Sequence, residues 1–236
     1  MLSDHRPDDL RWAILREGLA FAVHGLLYPF GTRPKREQSA RRSDLRTVVF
    51  VHGLAANRSG FLPLQAYLRM CGHRHQYAFN YRSRGSIEQH ALALKRELDQ
   101  HVRGGRIDIV AHSLGGLVAR FYLQQLAGDR RVDRLITLGT PHLGTHAANF
   151  VPSGFVRQLL PGSPFVQHLN ALPPPREVHT TSIVAGRDLL VQPVEAARCP
   201  FGDSLGYPEL GHVELLFRPE VFREVARRLK PKRSER

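Results

Sequence analysis

The sequence predicts an α/β fold: a mostly parallel sheet with helices on both faces and a short apolar cap. Two observations carry this. Five runs rich in β-branched and apolar residues recur along the chain, and helical patterns separate most of them. The run TVVFV at 47–51 has no polar alternation after Thr47, which is how a strand buried on both faces reads. Strands that alternate with helices imply right-handed crossovers between parallel neighbours. In such sheets the chemistry lies at the carboxyl ends of the strands.

The elements follow in order. Residues 10–30 form an apolar helical stretch, and 47–51 the first strand. FLPLQAYLRMCG (61–72) has helical spacing and stops at Gly72. HQYAFNY (75–81) is the second strand. IEQHALALKRELDQHV (87–102) is an amphipathic helix with Ile87, Ala91, Leu94 and Leu98 on one face, ended by Gly104-Gly105. RIDIVA (106–111), VDRLITLG (132–139) and HTTSIVAG (179–186) are the remaining strands. Helices are expected at 117–128 and 219–230. Prolines at 152, 161, 164 and 173–175 break the rhythm between the fourth and fifth strands.

At 236 residues the chain suits one α/β domain, and 42% apolar with 23% charged residues is globular composition. Two cysteines, Cys71 and Cys199, make no disulfide framework and mildly favour a reducing compartment. No Cys/His cluster has zinc spacing, so neither a metal nor a cofactor is expected. A net charge of +13 suits an anionic surface, but no nucleic-acid motif accompanies it. Nucleic acid is therefore not an expected partner.

The amino end divides from the rest at residue 46. The uncharged run Gly18–Phe30 is 13 residues, short of the roughly 20 a spanning helix needs. Asp4, Asp8 and Asp9 spoil a signal peptide's basic start. The stretch is therefore an apolar helix that either packs on the domain or lies in a membrane interface. GTRPKREQSARRSDLR (31–46) then carries six basic residues against Glu37 and Asp44. Apolar helix plus polybasic segment is a two-signal arrangement for anionic lipid. The expectation is a protein of the cytoplasm or of the cytoplasmic membrane's surface; if residues 10–46 lie on lipid, the rest of the chain does not need them for its chemistry on soluble substrates.

AHSLGG (111–116) ends the third strand. A strained strand-to-helix turn there would lift the Ser113 hydroxyl out of the sheet as a nucleophile. Its small neighbours let strand and helix approach closely. The amide of Leu114 would point where an oxyanion forms. With VHGL (51–54), TLGTPHLGT (137–145), GRD (186–188) and GH (211–212), the chain resembles the α/β-hydrolase superfamily, above all small bacterial lipases and esterases of the triacylglycerol lipase type. The resemblance covers roughly residues 47–230. It implies the order nucleophile, acid, histidine. Only His212 follows Asp188, so it is the base, and strand-end Asp188 is the acid ahead of Asp203 and Glu195. It also implies that the amide of Leu54 completes the oxyanion hole with Leu114. His52 then braces that loop, His112 points away from the nucleophile as a structural residue, and His142 belongs to the wall of the site. Related lipases hold calcium near the base; Asp203 and Glu209 are the nearby acids, a weak set.

The predicted catalytic domain is 47–236, with a cap at about 144–175 whose apolar residues, from Phe150 to Leu169, suit an acyl chain. The expected activity is hydrolysis of a lipophilic carboxylic ester through an acyl-enzyme on Ser113. An acyltransferase or thioesterase would use the same three residues. A non-catalytic binding protein on the same scaffold would not need them intact.

Overall fold

The computed structural model describes residues 7–32, 46–82, 84–102, 104–151 and 154–230. Six strands form one sheet in the order β2-β1-β3-β4-β5-β6, every pair parallel. They are β1 (Thr47–Val51), β2 (Gln76–Phe79), β3 (Ile107–His112), β4 (Val132–Leu138), β5 (His179–Ala185) and β6 (Asp203–Tyr207). The six α-helices among the described residues are α1 (Pro7–Thr32), α2 (Leu62–Met70), α3 (Ile87–His101), α4 (Leu114–Gln125), α5 (Pro164–Ala171) and α6 (Pro219–Leu229).

The side-chain alternation of the central strands feeds two cores. Val49, Val51, Ile109 and Ala111 face α3 and α4, meeting Leu94, Leu98, Leu117 and Val118. Val48, Phe50, Val110 and Ile136 face α2 and α6, meeting Leu64, Leu68, Val221 and Val225. Covering on both faces is why these strands carry no polar alternation. Ser86 caps α3 by accepting from the Gln89 amide, while the Gln89 side chain accepts from the Ser86 amide.

Three expectations need correction. β6 is an extra strand, DSLGY, in a stretch expected to be loop, and it places Asp203 at the strand's amino end. α4 starts at Leu114, three residues earlier than the apolar pattern suggests. The cap contains the helix α5, and Val156, Leu159, Phe165, Val166 and Leu169 are buried in the core shared with α3 and α4. Those five side chains hold the cap down and are not free to line an acyl channel. Phe150, by contrast, is 87% exposed.

The amino-terminal stretch is one 26-residue helix, and it packs on the domain. Ala13, Glu17, Ala20 and Gly31 are buried, at the three-and-four spacing of one helical face. Tyr28 and Gly31 offer carbonyls to the amides of Asn57 (2.9 Å) and Asn80 (3.2 Å) beyond β1 and β2. Among the described residues no helix is long and apolar enough to cross a membrane. Of the basic residues at 33–46, Arg46 pairs with buried Asp108 (3.1 Å) and with Asp133, so it belongs to the sheet. The other five lie outside the described residues.

Candidate active site

Ser113 follows the end of β3 and directly precedes α4, with φ 53° and ψ −127°. A non-glycine residue rarely takes a positive φ, so the surrounding packing must hold this turn. The Ser113 amide donates to the Leu138 carbonyl (2.9 Å), and its carbonyl accepts from the Thr140 hydroxyl (2.9 Å). Gly115 fits because a Cβ there would come within 2.3 Å of the Val51 carbonyl oxygen. The small residues of AHSLGG thus answer to close packing of α4 on β1. As the first residue of α4, Leu114 has an amide with no acceptor inside the helix.

His212 lies in the loop before the last helix and is buried with Asp188. Its Nδ1 is 2.7 Å from Asp188 Oδ2. The other carboxylate oxygen of Asp188 accepts from the amides of Leu190 and Val191, both at 2.8 Å. The acid is therefore fixed by its own loop and turned toward the histidine. Gly139, at φ 55°, leaves space for this pair: a Cβ there would stand 3.0 Å from His212 Nδ1 and 3.3 Å from Asp188 Oδ2. With Nδ1 engaged, Nε2 is the ring nitrogen left for a reacting proton.

The loop after β1 adjoins Ser113. A Cβ on Gly53 would lie 2.9 Å from Ser113 Cβ. His52 Nδ1 donates to the Gly53 carbonyl (3.0 Å), and its Nε2 accepts from the Tyr81 amide (3.2 Å). The two rings stack at 4.2 Å, and the Tyr81 hydroxyl donates to the His52 carbonyl. His52 is thus a brace for the segment that carries Leu54. His112 is buried and packs against the His212 loop. Its Nε2 donates to the His212 carbonyl (3.2 Å), and the two rings are 4.7 Å apart. His142 is buried, with Nδ1 3.4 Å from the Arg120 guanidinium and Nε2 3.0 Å from the Thr137 hydroxyl. An arginine only donates, so His142 Nδ1 accepts and Nε2 carries the proton. Arg120 also reaches the Asn170 side chain and the Leu169 carbonyl, pinning α5 to α4.

Asp203 pairs with Arg228, and Glu209 with Arg187 (2.5 Å). Asp203, at the amino end of its strand, is remote from the carboxyl-end loops that hold the Asp188–His212 pair. No three His, Cys, Asp or Glu residues among the described ones group as metal ligands.

Burial holds His52 neutral, with its pKa pushed down to about 4. Burial also holds His112 and His142 well below the ordinary histidine range, helped by His212 and Arg120 respectively. A base whose folded pKa is depressed stabilises the fold above its unfolded pKa and loses that stability as pH falls. The expected result is a stability that drops between pH 7 and 5. His52 alone should contribute about 2 kcal/mol of that drop. Denaturant titrations at the two pH values check it, and replacing His52 with Gln should flatten the slope.

Over residues 28–151 the sequence matches the family described as a domain of unknown function, DUF7379. The chain belongs to this family. The mature Bacillus licheniformis lipase BlEst2 is similar to it, with a TM-score of 0.62 at 17% identity over 83% of this chain and 96% of that one. Aspergillus fumigatus lipase B gives 0.62 at 15% identity over 80% and 53%. An extracellular α/β-hydrolase from a Paenibacillus species gives 0.53 at 15% over 78% and 98%. At these identities the likeness shows the fold, and the fold is that of the α/β-hydrolases.

Proposed function

We propose that this chain is a serine hydrolase of lipophilic carboxylic esters. The observation that carries the reading is the buried Asp188–His212 hydrogen bond beside the strained Ser113 turn. Ser113 Oγ attacks the ester carbonyl carbon while His212 Nε2 takes the hydroxyl proton. Asp188 holds the imidazole with its proton on Nδ1 and stabilises the imidazolium. The amides of Leu54 and Leu114 receive the oxyanion. The proton passes to the departing alcohol oxygen, leaving an acyl-serine. Water repeats the cycle and releases the acid. In this reading residues 47–236 are the catalytic domain, and residues 1–46 are an amino-terminal helix and basic linker.

Support for a lipophilic substrate comes from the neighbours named lipases and from an apolar rim. Leu143 follows β4, and Leu189 and Leu190 follow β5 beside Asp188; all three are exposed. The test is labelling by a fluorophosphonate probe, followed by a series of chromogenic esters of rising chain length, with and without an alcohol acceptor. Labelling and turnover that favours longer chains are expected. A faster release with alcohol and no hydrolysis would assign acyl transfer. No labelling would overturn the reading.

A further inference from the structure

Helix α1 is apolar along most of its length, and much of that apolar surface faces away from the domain. Two of its charged residues turn inward: buried Glu17 reaches the 213–214 amides, and Arg16 reaches the Glu209 carbonyl. Its large apolar residues turn outward. Trp12, Leu15, Leu19, Leu26 and Phe30 form one exposed stripe, with Leu26 75% exposed. Ile14, Phe21 and Tyr28 form a second stripe about 150° round the helix, with exposed Gly18, Ala22, Gly25 and Pro29 between the two. Between Trp12 and Phe30 this outer arc carries no charge. The two stripes and the small residues between them leave most of the outer circumference of α1 apolar and open to solvent, more than the single exposed apolar side chains that are ordinary on a monomer.

We propose that the outer face of α1 docks on an anionic lipid bilayer. Charge complementarity selects this occupant. The chain carries +13, and Arg33, Lys35, Arg36, Arg41 and Arg42 directly follow the helix. The helix is too interrupted to cross the bilayer, as its charged inner face shows, so it lies in the interface plane. It flanks the loops that follow β1 and contain His212, at the edge of the sheet where the apolar rim stands. Docking would thus bring that rim toward lipid.

Trp12 is the chain's single tryptophan and sits on this face, so its emission reports the event directly. Full-length protein is titrated with vesicles of phosphatidylglycerol or of phosphatidylcholine. A blue shift and co-sedimentation with the anionic vesicles are expected, weaker at 1 M salt, where the Debye length is about 3 Å. The double variant Leu19→Glu, Leu26→Glu should lose at least tenfold in vesicle affinity while keeping its melting temperature and its activity on soluble substrate. No vesicle binding by the parent protein, or binding unchanged in the variant, would overturn the proposal. So would a dimer that these substitutions dissolve without any lipid binding.

The inner face carries a second inference, which rests on His212 being the base. We infer that Glu17 is a positioning residue for it. Glu17 Oε1 accepts from the amide of Val213 (2.8 Å), and Oε2 from that of Glu214 (3.1 Å). The Glu214 carboxylate in turn accepts from the Gly211 amide (2.9 Å). The amides on either side of His212 are therefore both held by carboxylates, one of them from α1. In this reading α1 contributes to catalysis, which accords with the alternative in which the amino-terminal helix packs on the domain. Deleting residues 1–46 would remove this clamp as well as the lipid face.

The test is Glu17→Gln, which keeps the side chain's shape but replaces one acceptor oxygen with a donor. On a soluble ester, kcat should fall on the order of tenfold with KM unchanged, less than the ~100-fold cost of a 1 Å misplacement. The acid limb of kcat/KM should move to lower pH, because a negative charge near the imidazolium is lost. Asp188, Glu214, Arg16 and His112, which also face the loop, stay in place. Unchanged kcat and an unchanged acid limb beside an active parent would overturn the positioning role. An inactive parent would instead overturn the serine-hydrolase reading.

Discussion

Replacing Ser113 with alanine should abolish ester turnover and fluorophosphonate labelling, lowering kcat by a factor on the order of 10⁵–10⁶. The loss is this large because the hydroxyl is the only atom that can form the acyl bond, and no other group in the cluster can substitute for it. His52, His112 and His142 are all committed to bracing contacts. The fold should survive. Serine already sits at φ 53°, and alanine meets the same backbone strain with one heavy atom fewer. The anchoring bonds to Leu138 and Thr140 involve the backbone of residue 113, so the substitution leaves them intact. A melting temperature within about 2 °C of the parent is expected, since surface-like changes cost within ±0.5 kcal/mol. Undiminished turnover would remove Ser113 from the mechanism.

The parts of this molecule that were legible in the sequence share a physical cause. β1, β3, β4 and β5 are buried on both faces, so they read as β-branched and apolar runs without regular polar alternation, and their bounds fall within a residue of the pattern. β6 is an edge strand with mostly exposed or half-buried side chains and a glycine, so DSLGY carries no such run. The start of α4 is hidden because Gly115 and Gly116 read as a turn, whereas close approach to β1 and Thr140 requires them there. α5 sits in a proline-broken stretch, and one of those prolines opens the helix. The pairing of Asp188 with His212 is what the chain order implied by the hydrolase resemblance, together with strand-end placement, led to. The roles of Glu17 and His112 have no such lead, because both act on the backbone of the His212 loop, and nothing in a side-chain pattern marks a backbone partner. The amino-terminal helix was legible as apolar, but not how it sits: it packs on the domain through Ala13, Glu17, Ala20 and Gly31 and leaves its large apolar side chains outside.

Exchanging Asp188 for asparagine should lower kcat/KM by about 10⁴, whereas Asp203→Asn should change it less than about threefold. The geometry says why the first effect is large. One oxygen of Asp188 accepts from two amides, Leu190 and Val191, while the other faces His212 Nδ1. In asparagine one oxygen becomes an NH₂. Turned toward the two amides, that NH₂ would set three donors against each other, so the remaining oxygen keeps those bonds and the NH₂ faces His212. A donor opposite Nδ1 forces that nitrogen to accept. The neutral ring then carries its proton on Nε2, where it can no longer take the proton of Ser113. The substitution thus leaves the pair in place and inverts the tautomer. Asp203 has no such leverage. Its side chain is 70% exposed, it pairs with Arg228, and it opens β6 at the end opposite the site. Steady-state kinetics on one soluble ester for both variants make the comparison. A large loss in Asp203→Asn with little change in Asp188→Asn would transfer the acid's role and undo the assignment of the pair.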